Sequence, residues 1–238
     1  MRVDVALNPS EIEHLSEREL SGTACVVLDV LRATSSMVTG LAHGVLGFRP
    51  VASIEEALAL KHAHPDAVLG GERHGERIDG FDVGNSPLEY LELAGRRVIT
   101  TTTNGTVALD ACRGAREVIA GALLDLDAVA EHLRRTTAAE VLVVCAGTFR
   151  ETALEDVLAA GLLVETLAPE QATDPAEVAR AVYRASGGDL LGALRRARNG
   201  RALIAKGRGA EVAWCAQRSL WPVVGVLRDG WVVAERVG

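Results

Sequence analysis

Acidic side chains stand where several strands of the chain are predicted to end. Asp29 closes the apolar strand 24–29, Glu72 follows the strand 67–69, and Asp82 lies in a loop between two glycines. In open α/β sheets, ligands bind beyond the carboxyl ends of the strands. Carboxylate oxygens there suit a hard divalent cation, or act as a base or nucleophile. We therefore predict Asp29, Glu72 and Asp82 as metal ligands and as catalytic residues.

Arginine and asparagine side chains accompany these acids. Arg32 lies three residues after Asp29, Arg73 directly follows the second acid, and Asn85 lies three residues after the third. A guanidinium is a forked donor that fits a phosphate-like oxyanion, so we predict Arg32 as catalytic. We predict Arg73 and Asn85 as substrate-binding residues. In the alternative interpretation, Asp29 caps the next helix with Arg32 paired to it, Arg73 forms a surface ion pair, and Asn85 lies in a plain connecting loop.

The segment 100–106 combines threonine hydroxyls, an asparagine and a glycine between a predicted strand and the next helix. Hydroxyl donors and the free amides of a helix start can form a cradle for an oxyanion. The GxxxxGK[ST] pattern of a P-loop does not occur in the sequence. The substrate-binding residues that we predict in this turn are Thr101, Thr102, Thr103, Asn104 and Gly105. The alternative is a threonine-rich strand end in which Asn104 only caps the helix.

A further group of candidates lies around the predicted strand 141–145. Cys145 ends this strand close to a helix start, where the pKa of a thiol is lowered, so it is a candidate catalytic nucleophile. Glu155 and Asp156 on the following helix either reach back to the strand end as metal ligands or face solvent. The basic segment 206–209 either neutralises an anionic ligand or is a solvated loop. All of these alternatives stay open at the level of sequence.

The elements that must position these residues follow an α/β pattern. Short valine-rich runs alternate with helical segments, which is typical of sheets covered by helices on both faces. The predicted strands are 24–29, 45–52, 67–69, 97–101, 117–120, 141–145, 223–227 and 231–234. Cap residues that are followed by proline or glutamate predict helix starts at Asn8, Ser53, Ser86 and Asp174.

A strand and helix in the first half of the chain resemble a strand and helix in the second half. Val26 corresponds to Val143, and Gly44 corresponds to Gly161, so the offset is 117 residues at both ends. The similarity indicates either the duplication of a βαβα unit or the ordinary likeness of any two strand–helix units. We predict an N-terminal α/β lobe of residues 1–120 and a C-terminal α/β lobe of residues 121–238, packed directly on each other.

Composition limits the class of protein. The chain has 238 residues, a net charge of −7 and 3% aromatic residues, so a nucleic-acid-binding face is not expected. No apolar run approaches the roughly 18 residues of a membrane span. The four cysteines form no CxxC pair, which favours a reduced, cytoplasmic protein without a cysteine zinc site. The expected partner is a small anionic molecule, and a homodimer is an open alternative for the oligomeric state.

Five segments together resemble the 2-phosphosulfolactate phosphatase (ComB-like) family. They are VVLDVLRATSSMVTGLAHG, GGERHGERIDGFDVGNSPLEY, TTTNGTVAL, VVCAGTFRETALEDVLAAG and NGRALIAKGRGAEVAWCAQ. The resemblance implies a three-layer α/β/α fold of two similar lobes with mixed sheets and exchanged C-terminal strands. It also implies a magnesium-dependent phosphatase that hydrolyses 2-phosphosulfolactate to sulfolactate and phosphate, a step towards coenzyme M.

The residues and the resemblance together favour metal-assisted hydrolysis of a small anionic phosphate ester. We expect Mg²⁺ to be held by the carboxylates of Asp29, Glu72 and Asp82, with Glu155 or Asp156. Direct attack by water and a covalent intermediate on Asp29 or Cys145 are both open. The first alternative function is a non-catalytic binding protein for a small anionic metabolite. A nucleotide-dependent oxidoreductase is disfavoured, because no GxGxxG motif follows a predicted strand.

Overall fold

Strands with few polar residues form the centre of the molecule. The computed structural model describes residues 1–236, apart from the side chains at positions 16 and 236. The strands are β1 (Arg2–Ala6), β2 (Thr23–Leu28), β3 (Gly47–Pro50), β4 (Val68–Arg73), β5 (Glu76–Arg77), β6 (Arg97–Thr101), β7 (Glu117–Gly121), β8 (Glu140–Cys145), β9 (Gln171–Ala172), β10 (Val223–Arg228) and β11 (Trp231–Arg236). The strands β1, β5 and β9 are not among those predicted from sequence.

Ten α-helices connect these strands within the described residues. They are α1 (Pro9–Glu13), α2 (Ala33–Ala42), α3 (Ile54–Ala63), α4 (Gly105–Ala111), α5 (Leu126–Arg135), α6 (Leu154–Leu167), α7 (Asp174–Ala185), α8 (Leu190–Arg196), α9 (Arg198–Ala205) and α10 (Gly209–Cys215). Short 3-10 turns occur at Leu15–Glu17, Pro87–Tyr90 and Leu123–Asp125. Within residues 1–236, no helix has both the length and the apolar composition needed to cross a bilayer.

The helix starts follow side-chain capping. Asn8 caps α1 by accepting a hydrogen bond from the Ser10 amide, and Ser53 caps α3 as predicted. The start predicted at Ser86 is a capping box, but it opens a 3-10 turn rather than an α-helix. The cap of α7 is Thr173 rather than Asp174, because the Thr173 hydroxyl accepts from the Ala176 amide.

All of the strands belong to one mixed sheet of eleven strands in the order β5-β4-β6-β3-β11-β10-β7-β2-β8-β1-β9. Two groups of parallel strands, β3, β4 and β6 on one side and β1, β2, β7, β8 and β9 on the other, flank the antiparallel hairpin β10–β11. The two groups formally run in opposite directions. Sheets twist by about 20–25° per strand, so the five steps from β2 to β6 accumulate roughly 100–125°. This twist lets the carboxyl ends of the two groups approach each other.

Helices cover both faces of the sheet. One core cluster joins the sheet to α5 and α6 through residues such as Leu126 and Leu163. A second cluster joins it to α2 and α4 through residues such as Met37 and Leu109. All six residues of β2 are buried, because helices lie on both sides of this strand. The predicted three-layer α/β/α class is therefore confirmed.

The arrangement in lobes stays a prediction. The proposed boundary between residues 120 and 121 falls within β7, and β8 from the second half lies between β2 and β1. The C-terminal hairpin β10–β11 lies between strands of the two parallel groups. The two similar units, β2–α2 and β8–α6, have neighbouring strands, and their helices pack in opposite core clusters.

The contact between α6 and α7 gives a test of the fold. A Cβ atom at Gly161 would lie 1.9 Å from the Ala179 carbonyl oxygen, so this helix pair requires glycine. We expect Gly161→Ala to lower the free energy of unfolding by about 1–3 kcal/mol, the usual cost of overpacking. Urea denaturation measures this change. Gly114→Ala is the control, since a Cβ there meets no atom within 4 Å. Equal stability of the two variants would contradict the packing described.

Candidate active site

A pocket of about 290 Å³ lies where the two groups of parallel strands meet. Five chain segments and one helix contribute to its walls. The lining residues are Asp29, Leu31, Arg32, Glu72, His74, Gly75, Asn85, Thr103, Asn104, Gly147, Thr148, Phe149, Arg198, Asn199, Ala202, Leu203 and Lys206. Six of the residues predicted from sequence are among them, namely Asp29, Arg32, Glu72, Asn85, Thr103 and Asn104.

Strand register explains which turns are neighbours in this pocket. Leu28 at the end of β2 pairs with Cys145 at the end of β8, so the turns after these two strands lie side by side. Gly71 of β4 pairs with Thr101 of β6, so the turns that follow them are also adjacent. The pocket is thus formed by two pairs of strand ends, one pair from each parallel group.

Asp29 both caps a helix and lines the pocket. Its Oδ1 accepts from the Ala33 amide at 3.1 Å, which anchors the start of α2. A Cβ atom at Gly105 would lie only 2.6 Å from Asp29 Oδ2, so glycine is required where α4 approaches this carboxylate. Burial, together with the negative charges of Glu72 and Glu155, raises the pKa of Asp29 to about 7. The helix cap expected in the alternative interpretation is thus present at Oδ1. The roles of Asp29 as a metal ligand and catalytic residue stay predictions.

Glu72 connects the two strand ends of its group. Its Oε1 accepts from the Thr103 amide at 2.8 Å, and its Oε2 accepts from the Gly75 amide at 2.6 Å. The residue is buried and lines the pocket. Backbone donors thus hold a carboxylate close to Asp29, even though the two negative charges repel each other.

The residues of the threonine-rich turn make different kinds of contact. The Thr101 hydroxyl accepts from Arg73 Nη2 at 2.9 Å, and Thr102 and Thr106 exchange amide-to-hydroxyl hydrogen bonds at 3.1 Å that cap α4. Within residues 1–236, the buried Oγ1 atom of Thr103 has no hydrogen-bond partner, and this residue lines the pocket. An unpaired buried hydroxyl is costly, so Thr103 is the donor of this turn that is available to a ligand.

Asn104 holds the rim of the pocket. Its Nδ2 donates to the carbonyl oxygens of Ala146 at 2.9 Å and Phe149 at 3.0 Å, while its Oδ1 accepts from the Phe149 amide at 2.9 Å. Phe149 adopts a positive φ of 55° and packs against the ring of His74, with the ring centroids 5.8 Å apart. The side chain of Asn104 therefore fixes the loop after β8, and no hydrogen bond from this side chain caps α4.

Arg32 lies buried at the base of the pocket. Its Nη1 is 2.5 Å from Glu211 Oε2 on α10, and its Nη2 donates to the Gly75 carbonyl oxygen at 3.1 Å. Among the described residues, the ion-pair partner of Arg32 is thus Glu211, which is not among the site residues predicted from sequence. Its positive charge also acts on Asp29, where it opposes the rise in pKa.

Two predicted residues have structural contacts outside the pocket lining. Asp82 Oδ2 accepts from the Leu69 amide at 2.8 Å, which fastens the loop to the side of β4. Arg73 donates to Thr101 and to the Glu72 carbonyl oxygen, so it braces the ends of β4 and β6. Neither Asp82 nor Arg73 is among the residues that line the pocket, so the roles predicted for them stay predictions from sequence.

Glu155 and Asp156 lie buried behind the pocket. Asp156 accepts from the Val30 and Gly147 amides, both at 2.9 Å, and joins the turns after β2 and β8. Glu155 Oε1 accepts from Asn199 Nδ2 at 2.6 Å. Burial, followed by the charges of Glu155 and Asp29, raises the pKa of Asp156 well above its usual value. Neither residue lines the pocket, so their observed contacts position loops.

Cys145 is also enclosed. The side chain is fully buried in the core cluster that contains α6, and it does not line the pocket. Burial, together with the negative charges of Asp156 and Glu11, raises the pKa of the thiol well above its usual value. A neutral thiol without access to the ligand is a poor nucleophile, so the structure argues against the predicted catalytic role of Cys145.

One wall of the pocket was not predicted. It is formed by α9 and the residue after it, with the polar residues Arg198, Asn199 and Lys206. From sequence, the candidate in this region is the basic segment 206–209, with its role open. Arg198 is too far along the chain from the strand-end motifs to be selected by the rule on strand ends. The signal that could have found Arg198 is its spacing of eight residues from Lys206. This spacing is a little over two helical turns and puts the two cations on roughly the same side of a helix.

A second group of ligand-type side chains lies far from this pocket. Within residues 1–236, Glu117, His132 and Glu235 form the group of three such residues whose ligand atoms all lie within 4.8 Å of one another. Glu117 begins β7, at the end of the strand opposite to the pocket. Arg228 Nη2 contacts Glu117 at 3.2 Å and Glu235 at 2.9 Å, so a guanidinium already neutralises both carboxylates.

Comparison with known proteins identifies relatives along almost the whole chain. The family model described as 2-phosphosulpholactate phosphatase matches residues 10–230. A relative from Carboxydothermus hydrogenoformans is 38% identical over 99% of this chain and 98% of its own. A relative from Deinococcus radiodurans is 41% identical over 86% of this chain and 88% of its own. Both relatives carry the name probable 2-phosphosulfolactate phosphatase.

The burial of the thiols gives a test that does not depend on activity. All four cysteines are free and buried, so we expect the native protein to resist alkylation by iodoacetamide at pH 8 and to react fully in denaturant. Mass spectrometry of the labelled peptides measures the extent of reaction. Phe149→Cys is the positive control, because that side chain is 54% exposed on the pocket rim. Rapid labelling of Cys145 in the native protein would restore it as a candidate nucleophile.

Proposed function

The chain belongs to the 2-phosphosulfolactate phosphatase family, and on that premise we propose that it is a phosphoric monoester hydrolase acting on 2-phosphosulfolactate with the help of Mg²⁺. The observation that supports this proposal is the meeting of two carboxylates, a buried arginine and an unpaired hydroxyl in one pocket. Phosphoryl transfer requires positioning and charge stabilisation more than it requires covalent chemistry. These four groups can supply both.

The donor set fits magnesium. Mg²⁺ prefers oxygen ligands and is usually held by one or two carboxylates together with water and substrate phosphate. Asp29 and Glu72 offer two carboxylates whose charges act on each other across the pocket. When bound, the cation would neutralise phosphate oxygens and lower the pKa of a bound water. Asp29 and Glu72 are the residues that we propose to hold it.

The other pocket residues then act on the phosphoryl group. Arg32, held in place by Glu211, presents a guanidinium whose charge opposes the negative charge that develops on the phosphoryl oxygens. The Thr103 hydroxyl, which is unpaired within the described residues, would donate to one of these oxygens. In the hydrolysis, the oxygen of water forms a bond to phosphorus, the ester P–O bond breaks, and the leaving alkoxide takes up a proton.

A non-catalytic anion-binding protein is the less favoured alternative. Such a protein would need the arginine and hydroxyl donors but not two carboxylates facing the same ligand. Without a cation, Asp29 and Glu72 would repel a phosphate ester, because like charges in a partly desolvated pocket are unfavourable. The acid pair is therefore more consistent with a cation-dependent enzyme.

Two aspartates of this chain provide a matched test of the site. We expect Asp29→Asn to lower the Mg²⁺-dependent kcat by more than about a hundredfold. Mutating a residue that only supports a metal ligand commonly lowers metal affinity or activity about 10- to 100-fold, and losing a ligand itself should cost more. Asp82→Asn should change kcat less than about threefold, because an asparagine oxygen can still accept from Leu69. Phosphate release from 2-phosphosulfolactate is the measurement. Similar losses in both variants would contradict the assignment of the ligands.

The raised pKa of Asp29 predicts a pH dependence of metal binding. Below pH 7 the carboxyl group is protonated and must release its proton before it can hold a cation. We expect the affinity for Mg²⁺ to fall about tenfold for each pH unit below 7 and to level off above it. Calorimetry in buffers of different ionisation enthalpy would show release of about one proton at pH 6 and none at pH 8.5. An affinity that does not change with pH would contradict this role of Asp29.

A further inference from the structure

One face of α9 forms the wall opposite the strand ends. Arg198, Ala202 and Lys206 are spaced by four residues and all line the pocket. At 1.5 Å per residue, the two cationic residues are about 12 Å apart along the helix. The small side chain of Ala202 lies between them. This face therefore presents a positive charge at each end and open space in the middle.

The two cations have partners that a ligand can replace. Arg198 pairs with Glu151, and Lys206 Nζ lies 2.6 Å from Glu76 Oε1. All four side chains are between 43% and 72% exposed, so water screens both pairs and their stabilising effect is small. The Arg32–Glu211 pair differs, since both of its side chains are buried. An anionic ligand in the pocket can thus compete for Arg198 and Lys206 with little loss.

The proposed substrate carries two anions besides its phosphate, and the long side chains of Arg198 and Lys206 would have to converge over Ala202 to reach both. In 2-phosphosulfolactate the phosphate is on the central carbon, and a carboxylate and a sulfonate are at the two ends of the three-carbon chain. If Asp29 and Glu72 hold a cation and the phosphate binds beside it, near Arg32 and Thr103, the two terminal anions would be left to the facing wall. That wall carries one cation at each end.

We infer that Arg198 binds the carboxylate and Lys206 binds the sulfonate, so that α9 selects substrates with an anion on each side of the phosphate. This inference rests on the proposed function. The planar guanidinium of Arg198 matches a planar carboxylate with two parallel hydrogen bonds. The ammonium group of Lys206 has three donors around one axis and suits the three oxygens of a sulfonate.

The test removes one charge from the enzyme and one charge from the substrate. Michaelis constants are measured with Mg²⁺ for 2-phosphosulfolactate, for 2-phospholactate, which lacks the sulfonate, and for 2-phosphoethanesulfonate, which lacks the carboxylate. Where turnover of a truncated ester is slow, its inhibition constant against 2-phosphosulfolactate is used. The variants are Arg198→Ala and Lys206→Ala. Arg201→Ala is the matched control, because Arg201 lies on the same helix, is exposed, and donates to the Arg196 carbonyl oxygen outside the pocket.

The expected pattern is selective. Arg198→Ala should raise the Michaelis constant about ten- to a hundredfold for the two esters with a carboxylate and less than about twofold for 2-phosphoethanesulfonate. Lys206→Ala should show the converse pattern, with the loss confined to the two esters with a sulfonate. The control variant should match the wild type on all three. The kcat values should change less than the Michaelis constants, because these contacts do not involve the reacting phosphorus.

Two outcomes would overturn the inference while leaving the proposed function intact. One is a loss of equal size on all three esters, which would show that α9 acts on the phosphate or on the fold. The other is no loss on any ester, which would leave Arg198 and Lys206 as partners of Glu151 and Glu76 only. Failure of the wild type to hydrolyse 2-phosphosulfolactate with Mg²⁺ would instead overturn the proposed function.

Discussion

Repulsion among closely placed carboxyl groups is the constraint on which the site depends. Asp29, Glu72, Glu155 and Asp156 come from three parts of the chain. Burial, together with the negative charges of neighbouring carboxylates in this group, raises the pKa values of Asp29 and Asp156. Burying like charges is unfavourable unless they are paired, hydrogen-bonded or protonated. Here backbone amides hold Glu72 and Asp156, while Asp29 shares one oxygen with a helix start. The residual charge faces the pocket, where a cation can neutralise it.

The same hydrogen bonds that stabilise these acids also bring the strand ends together. Asp156 joins the amides of Val30 and Gly147, and Glu72 joins those of Gly75 and Thr103. Each carboxylate therefore fastens two turns within its own parallel group. The twist of the sheet and helix α2, of which nine of ten residues are buried, then place the two groups opposite each other. The carboxylates whose burial is electrostatically unfavourable are thus the same side chains that hold the turns of the site in place.

The sequence predicted the elements better than it predicted the roles of residues. Strands such as β2 and β8 were predictable because burial on both faces leaves a continuous apolar run. The strands β5 and β9 have two residues each, which is too few to show a periodicity. In β1, the charged residues Arg2 and Asp4 interrupt the apolar run. At the site, the rule on strand ends selected Asp29 and Glu72. It also selected Asp82, whose carboxylate binds a backbone amide, because the sequence does not show the direction of a side chain.

Contacts between residues that are distant in the chain were beyond such rules. Glu211 and Arg198 reach the site only because α9 and α10 fold over the strand ends, more than a hundred residues after Asp29. Burial then separates their functions. Removing one member of a buried ion pair leaves an uncompensated charge, at a cost of about 3–5 kcal/mol, so Arg32 and Glu211 are bound to each other as a fixed part of the site. Exposed pairs such as Lys206–Glu76 carry little of this cost and can exchange partners. The pocket thus combines a fixed charge at its base with exchangeable charges on its wall, and only the second kind can respond to differences between substrates.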